Sequence, residues 1–281
     1  MKRSVAVVWL FLLTACDATL AAAPVTRIVS LAPNLTELAF AAGAGDRVVG
    51  TVEYSDYPEA ARAIPRVGDA FRVDYERVLA LRPEAILAWE PGTPVGVVER
   101  LTTLHLNIAT IRTRRIADIS AGVRQIGRIA ATESAAEPVA DAFEHDIAAL
   151  RQQYAGRPPV SVFLQINDRP LYTVNGRQIM SEVIELCGGR NVFADLSDIA
   201  PQVGVEAVIA ADPDAIVVTG DAGSEALDRW QRWQHVRAVR TGNLFAVPPD
   251  DLARPTTRLA RGADALCRIL QTARERLREK Q

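Results

Sequence analysis

Basic residues are not in excess in this 281-residue chain: 32 Lys and Arg stand against 34 Asp and Glu, for a net charge of −2. Without a positive field to neutralise phosphates, nucleic acid is not an expected partner. Histidine is scarce. His105, His145 and His235 are scattered, none falls in HExxH or another metal-binding spacing, and no metal site is expected. His145, between Glu144 and Asp146, reads as part of a solvated helix face. GxSxG, the Walker loop and GxGxxG are all missing, and Gly43, Gly45 and Gly50 have the wrong spacing for a phosphate cradle. No catalytic constellation emerges, which favours a binding protein over an enzyme. Composition excludes a disordered or fibrous chain, since 49% of residues are hydrophobic and 23% charged.

Long apolar runs are also lacking, with one exception at the extreme N-terminus: Val5 to Ala15, behind Lys2 and Arg3. That run is too short for a bilayer-spanning helix, which needs about 20 residues, and residues 1–23 read as a cleaved export segment. Its end, Leu13-Thr14-Ala15-Cys16, resembles a bacterial lipoprotein box in which Cys16 is lipidated. Cleavage in the patch Ala21-Ala22-Ala23 is the alternative. Either route puts the mature protein outside the cytoplasm, periplasmic or lipid-anchored and facing the periplasm. With Cys16 assigned to the signal, Cys187 and Cys267 remain, 80 positions apart, as a disulfide in an oxidising compartment. A metal pair or redox site is the alternative, which no CxxC spacing or nearby His supports.

Short apolar runs alternate with helical patterns along the mature chain. Ile28 to Leu31 reads as a buried strand, and Pro33-Asn34 opens a helix that stops at Gly43. Strands are expected at Val48 to Val52, Ala85 to Trp89 and Asn107 to Ile111, with helices capped by Asp74 and covering Val97 to His105. From Ile116 to Tyr154 the pattern is helical. Val139, Phe143, Ile147, Leu150 and Tyr154 form one stripe, and Pro138 fits a first turn, giving a helix of about 25 Å. Strands return at Val160 to Ile166, Ala215 to Thr219 and Asn243 to Val247, with helices at Ile179 to Leu186 and Thr256 to Leu277. Such alternation predicts parallel sheets covered on both faces.

An internal repeat sharpens this. Val73 to Leu87 aligns without gaps on Val203 to Val217, an offset of 130 residues that brings Glu76 onto Glu206, with seven of 15 positions identical. One helix-to-strand unit recurs, and two α/β lobes with a cleft between them follow. The expected division is an N-terminal lobe over 25–115, linking helices over 116–157 and a C-terminal lobe over 158–281. Ligands of open parallel sheets meet the loops beyond the carboxyl ends of the strands. Tyr54, Phe71, Trp89, Asp250 and Asp251 fall in such loops and would suit a large, partly apolar ligand. Trp230 and Trp233, beside Arg229 and Arg232, read better as core packing or a cleft rim than as a cofactor box.

Arg27 to Asn34 with Thr36-Glu37, then Tyr54-Ser55-Asp56-Tyr57-Pro58, Phe163-Leu164-Gln165 and Glu185-Leu186-Cys187-Gly188-Gly189, resemble the substrate-binding proteins of cobalamin ABC importers. The similarity covers nearly all of Val25 to Leu270. It implies two Rossmann-like lobes joined by a long rigid α-helix, with a corrinoid held between them as the transported ligand and no cofactor. Carried over residue by residue, the ligand contacts fall on Tyr54, Trp89, an acidic segment Asp250, Asp251, Leu252 and Arg254, and Tyr172 in place of a Phe; Phe71 stands in for a Trp. Two family tryptophans are replaced by Ala70 and Ala200. The family's disulfide falls on Cys187 and Cys267. Its docking glutamates fall on Glu76 and Glu206, which would meet a homodimeric permease with its ATPase. The protein is expected to act as a monomer that reaches the membrane only through a lipid anchor or the permease, with small lobe closure. Haem or a ferric siderophore, carried by relatives of the same fold, is the alternative ligand, and a non-transport binding or signalling module the alternative role.

Overall fold

The computed structural model of the chain describes residues 24–69, 71–219 and 225–280. The export segment with Cys16, and Ala70, lie outside the described residues. Two four-stranded sheets follow one plan. β1 (Ile28–Ser30), β2 (Val48–Gly50), β3 (Ala85–Glu90) and β4 (Ile108–Arg112) are ordered β2-β1-β3-β4. β5 (Val160–Gln165), β6 (Gly189–Asn191), β7 (Ala215–Val218) and β8 (Leu244–Ala246) are ordered β6-β5-β7-β8. Every neighbouring pair is parallel. Helices must therefore cover both faces, which is why β3 and β7 read as unbroken apolar runs: Ala85 to Ala88 and Ala215 to Val218 are all buried.

The repeat found in the sequence is a repeat in space. α2 (Tyr75–Ala80) leads into β3, and α7 (Val205–Ala211) leads into β7. Val78 and Val208 are both fully buried, while Glu76 and Glu206 are exposed in the first turns of the two helices. Arg82 and Asp212, also matched, both take the left-handed conformation (φ 45° and 40°) that turns each helix towards its strand. Two non-glycine residues sharing so uncommon a geometry at equivalent positions argue for one duplicated unit.

Between the lobes run α4 (Ile116–Ala130) and α5 (Glu133–Tyr154). Phe143, Ile147, Leu150 and Tyr154 are buried as their spacing requires. The start of α5 differs from the sequence expectation: the helix begins five residues before Pro138, which sits inside it. An interior proline frees the carbonyl four residues back. Here that residue is Ser134, and both Ser134 and Pro138 face solvent, where water can satisfy the group. Arg124 of α4 donates to Glu137 (2.8 Å), Asp141 (2.6 Å) and Glu144 of α5 and holds the two helices side by side.

In the C-terminal lobe, Cys187 at the end of α6 (Ile179–Leu186) forms a disulfide with Cys267 of α11 (Leu259–Glu279). The glycines after it have steric work. Gly188 (φ 70°) takes the left-handed turn, and a Cβ there would meet the Arg274 guanidinium at 2.8 Å. Arg274 is buried and donates to the carbonyls of Pro158 (2.8 Å), Cys187 (2.6 Å) and Gly188 (2.9 Å), closing the end of α6. Gly189 then opens β6, an edge strand with no apolar pattern of its own, which the sequence did not betray. Among the described residues, no helix is long and apolar enough to cross a membrane.

Candidate functional site

Both sheets point the carboxyl ends of their strands at the space between the lobes, and a cavity of about 300 Å³ opens there. Trp89, Pro91, Thr113 and Arg114, just past β3 and β4, form one wall. The other wall comes from Arg177, Gln178 and Ile179 at the start of α6, Ile199, and the pair Ala253 and Pro255. Most of this surface is apolar, no carboxylate belongs to it, and its volume sits at the small end of the range for ligand sites.

Trp89 is fixed from three sides. Its indole N–H donates to Thr113 Oγ1 at 2.6 Å, and its backbone N–H donates to Thr93 Oγ1 at 2.8 Å. Gly92 lies flat against the ring: a Cβ there would stand 1.9 Å from an indole carbon. Trp89, expected at the cleft, lines this cavity.

An ionic cluster centred on the buried Glu37 joins the lobes. Glu37 of α1 (Pro33–Ala41) is only 5% exposed. It accepts from Arg254 (3.1 Å) and doubly from Arg258 (2.9 and 2.6 Å), both of the C-terminal lobe. Arg254 also donates to Asp56 at 2.7 Å and pairs with Asp250 at 3.2 Å. Burial pushes the Asp56 carboxyl up, but the hydrogen bond and charge of Arg254 outweigh it and hold the group below its usual range. Arg258 further covers the Tyr57 ring at 4.3 Å. The contacts of Glu37 and Asp56 with these arginines could not be read from sequence, because the partners are more than 190 positions apart.

The other expected contacts are spread out. Tyr54 (φ 64°) is held in a left-handed turn with its ring 77% exposed. Its neighbour Ser55 is buried and accepts from Thr51 at 2.8 Å, so the loop is anchored while the ring projects. Phe71, 79% exposed, tops a turn in which Asp69 accepts from the N–H groups of Phe71 (2.7 Å) and Arg72 (2.8 Å). Tyr172 is half-buried and pairs with Asn167 and Gln202. None of the three rings lines the 300 Å³ cavity. Asp250 and Arg254 belong to the ionic cluster, and Asp251 pairs with Arg261. Leu252 corrects the expectation for that segment. It is fully buried in the core, because α10 (Pro249–Leu252) turns its apolar side inward against α11.

Ala200 is exposed and offers little surface, but Ile199 beside it stands on the cavity wall, apolar surface that the sequence reading missed. A bulky β-branched residue next to the alanine was the available signal. Trp230 is a core residue, its N–H donating to the buried Gln165 at 2.8 Å, in keeping with the packing role read for it.

Comparison with known proteins gives the same answer from several sides. The periplasmic binding protein family matches residues 28–250. The vitamin B12-binding protein of Vibrio cholerae is 34% identical over 253 residues, covering 90% of this chain and 91% of that protein. The vitamin B12-binding protein of Yersinia pestis is 38% identical over 220 residues, 78% and 77% of the two chains. A crystal structure of the periplasmic vitamin B12-binding protein of Vibrio cholerae superposes with a TM-score of 0.85 at 34% identity, over 89% of this chain and 98% of that one.

Proposed function

Because the chain belongs to the periplasmic binding protein family, we propose that it captures cobalamin in the periplasm and hands it to an ABC importer. The observation that carries this reading is the joint one of near full-length similarity to vitamin B12-binding proteins and an apolar cavity walled by both lobes. That cavity can grip one portion of a corrinoid, while the projecting rings of Tyr54 and Phe71 extend the apolar surface on the N-terminal lobe. Tyr172 supplies a ring from the other lobe.

Delivery needs a surface that the permease can recognise. Glu76 and Glu206 support such a role: each is exposed, and each occupies the first turn of the same helix in its lobe. A homodimeric permease with two basic pockets would receive one from each side. Export is ascribed to residues 1–23, with Cys16 as the candidate lipid attachment point; a chain cleaved after the alanine patch would be free in the periplasm.

Isothermal titration of the mature protein with cyanocobalamin, and separately with haemin, tests the reading. Tight one-to-one binding of cyanocobalamin is expected. No heat with cyanocobalamin together with binding of haemin would overturn the corrinoid assignment.

A further inference from the structure

The two cations on the cavity wall are not equivalent. Arg114, on the N-terminal lobe, is neutralised by Glu90 at 3.0 Å. Arg177, on the facing wall, has no carboxylate within 4.0 Å among the described residues. Its guanidinium donates to the Ser197 carbonyl, and its backbone N–H donates to Asn175 Oδ1 at 2.9 Å. Asn175 in turn donates to the Leu196 carbonyl at 2.9 Å, so the segment bearing Arg177 and the loop bearing Ile199 are laced together. The arginine is thus pinned by its neighbours, carries an unmatched positive charge, and stands over a wall of Trp89, Pro91, Ile179, Ile199 and Pro255.

Resting on the corrinoid reading above, we propose that Arg177 is a specificity-determining residue that receives an anionic oxygen group of the ligand, the phosphodiester of the nucleotide arm of cobalamin. A guanidinium keeps several donors after one has been spent on Ser197, and its planar fork matches two oxygens of a phosphate. One unpaired cation at the edge of an apolar cavity suits a molecule that presents an apolar portion to the cavity and a single anionic group beside it. Arg114 differs in that its charge is already matched by Glu90.

The test compares cyanocobalamin with dicyanocobinamide, which lacks the phosphate and the base, on wild-type protein and on Arg177→Gln and Arg177→Lys. The measured quantity is the ratio of the two affinities. Arg177→Gln should lower the preference for cyanocobalamin about tenfold, the size of one charge-assisted hydrogen bond. Arg177→Lys should restore part of it, since the charge returns without the fork. Equal weakening of both corrinoids would assign Arg177 to holding the Ile199 loop and overturn the proposal. A ratio that does not move would overturn it too. Failure of wild-type protein to bind either corrinoid would overturn the reading on which it rests, and this assignment with it.

Discussion

Glu37 and Arg258 meet across the lobes through two hydrogen bonds of 2.9 and 2.6 Å, a carboxylate from one half of the molecule held by a guanidinium from the other. The carboxylate is buried and shared with Arg254. Removing one partner of such a group strands charge in a poor dielectric, which costs far more than the pair contributes net. Glu37→Gln should therefore destabilise the protein by about 3 kcal/mol in urea unfolding. A loss below a few tenths of a kcal/mol would show that water already reaches the cluster.

Acid should loosen the same cluster. Asp56 has its carboxyl held low by Arg254 in the folded protein, against burial that opposes this. A folded-state value below the unfolded one, about 3.9, means that the contribution is complete above about pH 4 and fades as the pH falls through the folded value. Wild-type protein should exceed Asp56→Asn in denaturant midpoint at pH 7, and the gap should narrow below pH 4. A gap independent of pH would remove Asp56 from the ionic balance.

Gly92 is expected to control Trp89 without touching any ligand. A methyl group 1.9 Å from the indole must push the ring aside and break its 2.6 Å hydrogen bond to Thr113. Gly92→Ala should weaken cyanocobalamin binding about tenfold, since an aromatic wall and its hydrogen bond are both displaced. Titration calorimetry with thermal unfolding would separate this from a general loss of fold: unaltered affinity at unaltered stability would mean that Trp89 is not a ligand contact.

Glu76→Ala combined with Glu206→Ala should leave cyanocobalamin affinity intact and abolish stimulation of transport in vesicles carrying the permease and its ATPase. Both side chains are exposed and neither lines the cavity. Unchanged uptake with the double variant would remove the two glutamates from docking.

Local pattern explains what the sequence revealed and what it concealed. β3 and β7 were legible because strands buried on both faces have to be apolar throughout, and the repeat was legible because a glutamate, an apolar spacing and a proline recur together in the same order. β6 stayed hidden: Gly189, Arg190 and Asn191 form a strand only because β5 lies alongside, and tertiary pairing outweighs their poor β-propensity. Trp89 was legible from its place at a strand end. Leu252 was misplaced because its neighbours in the chain are polar, while the direction of its side chain is set by a four-residue helix. The Glu37 cluster and the lone charge of Arg177 are properties of distance in space, to which composition and spacing are blind.

The ionic cluster around Glu37 and the long helix α5 have a joint consequence. Each ties one lobe to the other, the cluster by charge and the helix by covalent connection. Any change in the width of the gap has to pull the Glu37 carboxylate off its two guanidiniums or bend a helix of 22 residues, so the same contacts that shape the cleft also set the work of spreading it.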